Sequence, residues 1–312
     1  MKRSNHWRVF RWVLAIIIFI VIIVTIRCTE SYIQKQEDNL RSELQGLQLQ
    51  LQRQEQTLTS IYQNVDDTFA KADVELDEME KLAQESLNSV VCSKANKYYA
   101  KAQAKQEEFD EKKQYVEKLL PEYEQKYNQC LELVREIEET KESLKMENTT
   151  EKLSNVSYEA LKERTNQLFA QKASKVTNLV SEAKEYSNDL YNEYYPLMVQ
   201  LVTGEAGADY CPDLDQYCVM GVVENRIASE KYPDTIKEVI FQDGQYQCTW
   251  DGNFYKTPTD RTKENVKYYL RGNVELGMPS DVLYQSGEPL SNDIWRYIPN
   301  GITGGTYYCR VS

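Results

Sequence analysis

The chain has 312 residues, room for two domains of ordinary size. Asp and Glu number 49 against 37 Lys and Arg, a formal net charge of −12, and Lys2, Arg3, Arg8, Arg11 and Arg27 crowd the N-terminus. The remainder is more acidic still and has no basic face to offer, so nucleic acid is excluded as a partner. His6 is the single histidine, which rules out zinc amidases, Cys-His peptidases and Ser-His-Asp hydrolases. Lytic or hydrolytic chemistry here must rest on carboxylates, tyrosines or lysines, and no cofactor or metal is expected.

Trp12 to Ile26 are almost wholly apolar. With Val9, Phe10 and a snorkelling Arg11, the stretch approaches the ~20 residues that span a bilayer. Four basic residues precede it and only Arg27 follows closely, so the positive-inside rule puts residues 1–11 in the cytoplasm and the rest outside. We read 12–27 as a transmembrane anchor in the lipid bilayer. The alternative is a cleaved signal peptide, but no small-x-small site follows, and Arg27 stands where one is expected.

Residues 28–195 read as a helical coiled-coil stalk. Apolar residues recur at steps of three and four through Leu40, Leu44, Leu47, Leu51, Leu58, Ile61 and Val65, with a stutter to Phe69. The pattern resumes through Leu76, Met79 and Ala83, weakens over 92–108, and returns from Phe109 to Leu144. Pro121 should kink or restart the helix. Residues 146–157 are polar and mark the best break; the sequons at Asn148 and Asn155 within it are weak signals. Two architectures fit: a parallel homodimeric stalk with Cys130 on its seam, or a chain folded back at 146–157. A last helix should end before Pro196.

Residues 196–312 differ in kind, holding seven of the eight prolines and eleven of the twelve glycines. Their pattern predicts helices over 197–206, 214–229, 234–241 and 259–271, the last capped by Thr259 and ended by Gly272. Residues 244–256 read as extended and turn-rich. Strands are expected over 282–285 and 307–311, with a long loop between them. The fold class is a small α+β domain. Outside the membrane Cys211, Cys218, Cys248 and Cys309 should form disulfides, most simply 211 with 218 and 248 with 309, although three connectivities are open.

Glu205 ends an apolar helix and is followed by Ala206-Gly207-Ala208. Small neighbours admit a polymeric substrate, and apolar surroundings keep a carboxyl protonated, able to donate to a leaving oxygen. On these residues alone the alternative is a solvated glutamate at a helix end. Asp209, Glu224, Asp243 and Asp251 are candidates for a second carboxylate, though Glu224 and Asp213 read more readily as solvated.

Three blocks carry a resemblance. They are Gly204-Glu205-Ala206, then Val219 to Ile227 with Asn225-Arg226, then Tyr232-Pro233-Asp234-Thr235-Ile236 through Gly244-Gln245-Tyr246. In order and spacing they resemble the SleB/CwlJ cell wall hydrolase family, over the last third of the chain. The resemblance implies a muralytic enzyme, often a lytic transglycosylase, with a small lytic-transglycosylase-like domain and peptidoglycan glycan strands as partner. It implies Glu205 as the catalytic acid, and Asn225, Gln245, Tyr246 and Tyr284 as substrate-binding residues. The family's later G-N-H-x-F-like strand reads Gly304-Gly305-Thr306-Tyr307-Tyr308 here, without the histidine.

The expected protein is therefore a single-pass membrane enzyme with an extracellular peptidoglycan-cleaving domain, homo-oligomeric through its coiled coil. The alternative is a non-catalytic coiled-coil scaffold or glycan-binding protein carrying an inactive domain of this kind.

Overall fold

The computed structural model describes residues 4–146, 153, 156–300 and 304–310, with side chains from residue 10 onward. The sequons at Asn148 and Asn155 lie outside the described residues. The chain forms two compact units, residues 1–68 with 115–164, and residues 69–114 with 165–312.

Helix α1 runs Ser4–Leu87 and α2 runs Cys92–Ser143. Among the described residues α1 is the one helix long and apolar enough to cross a membrane, and Trp12 to Ile26 lie exposed along it. Farther on, residues at sevens are buried: Leu44, Leu51, Leu58, Val65, Ala72, Met79 and Ser86 on α1, Ala95, Ala102, Phe109, Val116, Tyr123, Cys130 and Ile137 on α2. This is the expected seam. It is closed within one chain, so the expected homo-oligomer is not needed to bury it. The turn that allows this, residues 88–91, lies just before the stretch where alanines thin the pattern, and no proline or glycine marks it. Pro121 lies inside α2 on its exposed side, where losing one backbone hydrogen bond leaves a carbonyl to water rather than to the core.

In the first unit the Tyr62 and Tyr123 rings meet at 6.4 Å, and Arg164 on α3 (Tyr158–Asn166) pairs with Asp66. In the second unit Lys105 and Lys112 converge on Glu75, and Lys172 on Asp73 and Asp77. A π-helical stretch, Gln167–Lys172, precedes α4 and inserts Phe169 between Phe69 and Phe109, at 5.6 and 5.5 Å.

Helix α4, Ala173–Ala206, runs straight through the expected boundary at residue 196, with Pro196 inside it. Its hydroxyls close the 88–91 turn: Tyr186 donates to Ser89 O at 3.0 Å and Tyr194 to Val90 O at 2.7 Å. Around its C-terminal half pack α5 (Asp213–Ile227), α6 (Ile236–Ile240), α7 (Cys248–Asp251), a 3₁₀ turn (Asn253–Tyr255) and α8 (Asp260–Leu270). Residues 244–256, expected to be extended, thus hold two helical turns, joined at Gly252 with φ 86°. The core contains Met198, Leu201, Val202, Val219, Val223, Ile236, Val239, Val266 and Leu270, and also Cys92 and Tyr194.

Three antiparallel strands, β1 (Val282–Ser286), β2 (Ile294–Pro299) and β3 (Gly305–Arg310), form a sheet in the order β1-β3-β2. Val222 and Cys218 of α5 pack on it with Val282, Ile298 and Tyr308. The α+β class holds. β2 was expected as loop because it presents one buried residue, Ile298, at an edge, too few for an alternation to register.

Candidate active site

The last turn of α4 carries Glu205 to the surface half-buried. One oxygen, Oε1, accepts the Cys248 backbone N–H at 3.4 Å, and the other, Oε2, accepts Gln285 Nε2 at 3.3 Å. Cys248 opens α7 and Gln285 belongs to β1, so three elements converge on one carboxylate. The Cys248 thiol stands near the same carboxylate. Burial first, and then the Glu205 charge, push that thiol well above its ordinary range. Close approach of α7 depends on Gly204, since a Cβ there would stand 2.5 Å from Cys248 Cβ.

Behind the carboxylate lies a buried aromatic and cationic layer. The Arg226 guanidinium sits 4.9 Å from the Tyr246 ring centroid and 5.1 Å from that of Tyr232, while its Nε donates to Leu283 O at 2.8 Å. Tyr246 is buried and its phenol is pushed up to about 12, chiefly by burial, against the pull of Arg226 and with the Glu205 charge adding. Tyr232 and Tyr284 are neighbours at half-buried positions. Arg226 Nη1, Tyr246 OH and Gln285 Oε1 are buried with no hydrogen-bond partner among the described residues.

Of the residues singled out in the sequence, Glu205, Tyr246 and Tyr284 thus fall in one neighbourhood. Gln245 lies half-buried in the turn before α7, its N–H on Gln242 O at 3.1 Å. Asn225 spends its amide on the loop before β1, donating to Pro279 O at 2.8 Å and Val282 O at 3.1 Å.

The expected disulfides are absent: all seven cysteines are free, and every one but Cys28 is buried. Cys218 packs against the sheet, its thiol pushed up to about 12 by burial, while Cys211 and Cys248 belong to the helical core. Cys211 and Cys218 thus face different clusters, and Cys248 in the helical core and Cys309 on β3 are likewise both free.

The solvated reading of Glu224 is also corrected. Glu224 is buried and accepts Ser93 N–H at 2.8 Å, Ser93 Oγ–H, and Tyr269 OH at 3.0 Å. Burial outweighs those three donors and raises its carboxyl above the usual range. Asp213 is exposed and ion-paired with Arg261. A second buried carboxylate, Asp215, had no signal in the sequence beyond its place at a helix start. Tyr308 OH donates to it at 2.7 Å and Thr306 Oγ at 3.2 Å, where the family pattern has its histidine, and burial raises it too. Asp209, Asp243 and Asp251 are exposed. No cluster of His, Cys, Asp or Glu able to hold a metal occurs among the described residues.

Residues 212–296, from the start of α5 into β2, match the cell wall hydrolase family model. The C-terminal part of the chain is cell wall hydrolase-like. Glu205 precedes the matched segment by seven residues. Similar proteins include a spore cortex-lytic enzyme of Bacillus cereus, 34% identical over 76 residues, covering 24% of this chain and 29% of the relative. Another, from Oceanobacillus iheyensis, is 28% identical over 114 residues, 36% of each chain. A third, from Halalkalibacterium halodurans, is 36% identical over 76 residues, 24% of this chain and 22% of the relative. The chain thus spans about a third or less of the curated relatives it matches. No solved structure matches it.

Proposed function

We propose that this chain is a membrane-anchored peptidoglycan-cleaving enzyme, a lytic transglycosylase acting at N-acetylmuramic acid with Glu205 as general acid and base. A single half-buried carboxylate at a helix end, held by one backbone N–H and one amide, carries the reading. Similarity to spore cortex-lytic enzymes supplies the substrate class. The domain would have a lytic-transglycosylase-like fold.

One carboxyl suffices for this chemistry. Protonated Glu205 gives its proton to the glycosidic oxygen as the bond to C1 breaks. As a carboxylate it then takes the proton of the muramic C6 hydroxyl, whose oxygen closes on C1 to give a 1,6-anhydro end. A hydrolase would pair Glu205 with a carboxylate about 5 Å away for retention or about 6.5–9.5 Å for inversion. Both buried carboxylates of the domain are committed, Asp215 to Tyr308 and Thr306, Glu224 to Ser93 and Tyr269. Asn225, Gln245, Tyr246 and Tyr284 are proposed to support the glycan cleft. The apolar start of α1 would hold the protein in the membrane, N-terminus inside and enzyme outside.

Glu205→Gln keeps the shape and removes the transferable proton. Digestion of purified peptidoglycan should fall by about 10²–10⁴, and undiminished digestion refutes the assignment. Mass spectrometry of wild-type products should find anhydromuropeptides; reducing ends alone would make the enzyme a hydrolase.

A further inference from the structure

Gln285 was unremarkable in the sequence, the end of an expected strand. Among the described residues it is the one side chain whose nitrogen donates to Glu205. An ionised carboxylate only accepts hydrogen bonds, so the amide must turn its nitrogen toward it, as it does. That leaves Gln285 Oε1 buried and without a hydrogen-bond partner among the described residues. A buried amide oxygen left unpaired is costly, and its persistence asks for a state in which it is used.

We propose that Gln285 is a positioning residue that serves both protonation states of Glu205, its amide N–H holding the carboxylate and its amide oxygen accepting from the carboxylic acid. A turn of about 180° about the last side-chain bond exchanges the two atoms without moving the backbone. The backbone is fixed, since Gln285 pairs with Tyr308 in the β1–β3 ladder. Glu205 thereby keeps one orientation through a cycle in which it loses a proton and regains it. The Cys248 N–H fixes only Oε1 and serves only as a donor.

The other groups facing Glu205 do not do this. The Cys248 thiol on α7, the Tyr246 phenol before α7 and the Tyr308 phenol on β3 are all held neutral by burial, and Tyr308 donates to Asp215. Asp251 stands beyond Cys248 on the exposed side. Arg226 stands behind the Tyr246 ring with its Nε on Leu283 O. Distances of 3.3 and 3.4 Å to Glu205 are long for such bonds, as expected of a site that tightens around substrate.

This inference rests on the catalytic reading of Glu205, and the test separates the two. The full chain in detergent is assayed on a soluble glycan-strand oligosaccharide across pH. Gln285→Met removes donor and acceptor at nearly constant volume. It should lower kcat by about tenfold or more, as misorientation of a catalytic group does, with KM little changed. Its alkaline limb should move to higher pH, because, of the two bonds lost, the charge-assisted one to the carboxylate is the stronger. Gln285→Glu places two carboxyls face to face, which share a proton and move the limb farther in the same direction. A merely structural glutamine would leave the limb in place. If neither variant moves the limb or lowers kcat while Glu205→Gln is inactive, the role of Gln285 is overturned and Glu205 stands. Full activity in Glu205→Gln would overturn both.

Discussion

At the scale of residues, the candidate site depends on Gly204 as much as on Glu205. A methyl group there would lie 2.5 Å from Cys248 Cβ and 2.8 Å from its sulfur, both anchored in α7. Gly204→Ala should push α7 away and withdraw the Cys248 N–H from the carboxylate. Overpacking of this kind costs about 1–3 kcal/mol. Thermal unfolding should show that loss, and turnover should fall further than stability; an unchanged midpoint and rate would refute the contact. Glu205 was singled out by the resemblance, because on local pattern alone a glutamate at the end of an apolar helix reads as readily as a solvated residue. Gln285 was not, because strand alternation gives a side chain a face but not a neighbour 80 positions away. The cysteines misled for a related reason. The rule that extracellular thiols pair concerns the compartment, whereas whether two sulfurs can meet is decided by where the fold places each one.

Among elements, the junction of α5 with the start of α2 is the one most sensitive to protons. Glu224 caps the α2 terminus through Ser93, a partner 131 residues away, which is why the helix pattern read it as solvated. Its folded carboxyl titrates above the ordinary 4.5, so the folded state binds this proton more tightly than the unfolded chain does. The stability it contributes is therefore full below the ordinary range and is lost as pH rises through the elevated folded value. Glu224→Gln keeps acceptors and donors for Ser93 and Tyr269 but cannot ionise. Calorimetry across pH should find the wild type losing ground to this variant as pH rises above about 4.5; a constant difference would refute the elevated titration. Helices α5, α6 and α8 were legible from apolar periodicity, and α8 also from its Thr259 cap; that Thr235 caps α6 emerges only in the structure. The turns at 248–255 were not, because single helical turns have no period to read.

For the whole molecule, the unit that contains the site is larger than the segment resembling cell wall hydrolases. It takes in residues 69–114 and 165–195, whose Cys92 and Tyr194 belong to the same core as Met198 and Val219. A fragment of residues 196–312 alone would bare that core, leave Glu224 without Ser93, and keep only the C-terminal third of α4. It should show no cooperative unfolding transition, and a sharp, reversible melt of that fragment would refute the expectation. Composition marked the change at residue 196 because prolines and glycines cluster beyond it, but composition reports where turns are, not which helices share a core.

The π-helical stretch before α4 adds a question of phase. A π-turn hides one additional residue within an otherwise regular helix. Loss of one residue from Gln167–Lys172 could be absorbed by reverting to α-helix, leaving every later side chain on its original bearing. The same loss between Ala173 and Gly204 would swing Glu205 by about 100° around the helix axis, out of reach of Cys248 and Gln285. Chains descended from a common ancestor of this one can therefore vary in length on one side of Ala173 and must keep count on the other.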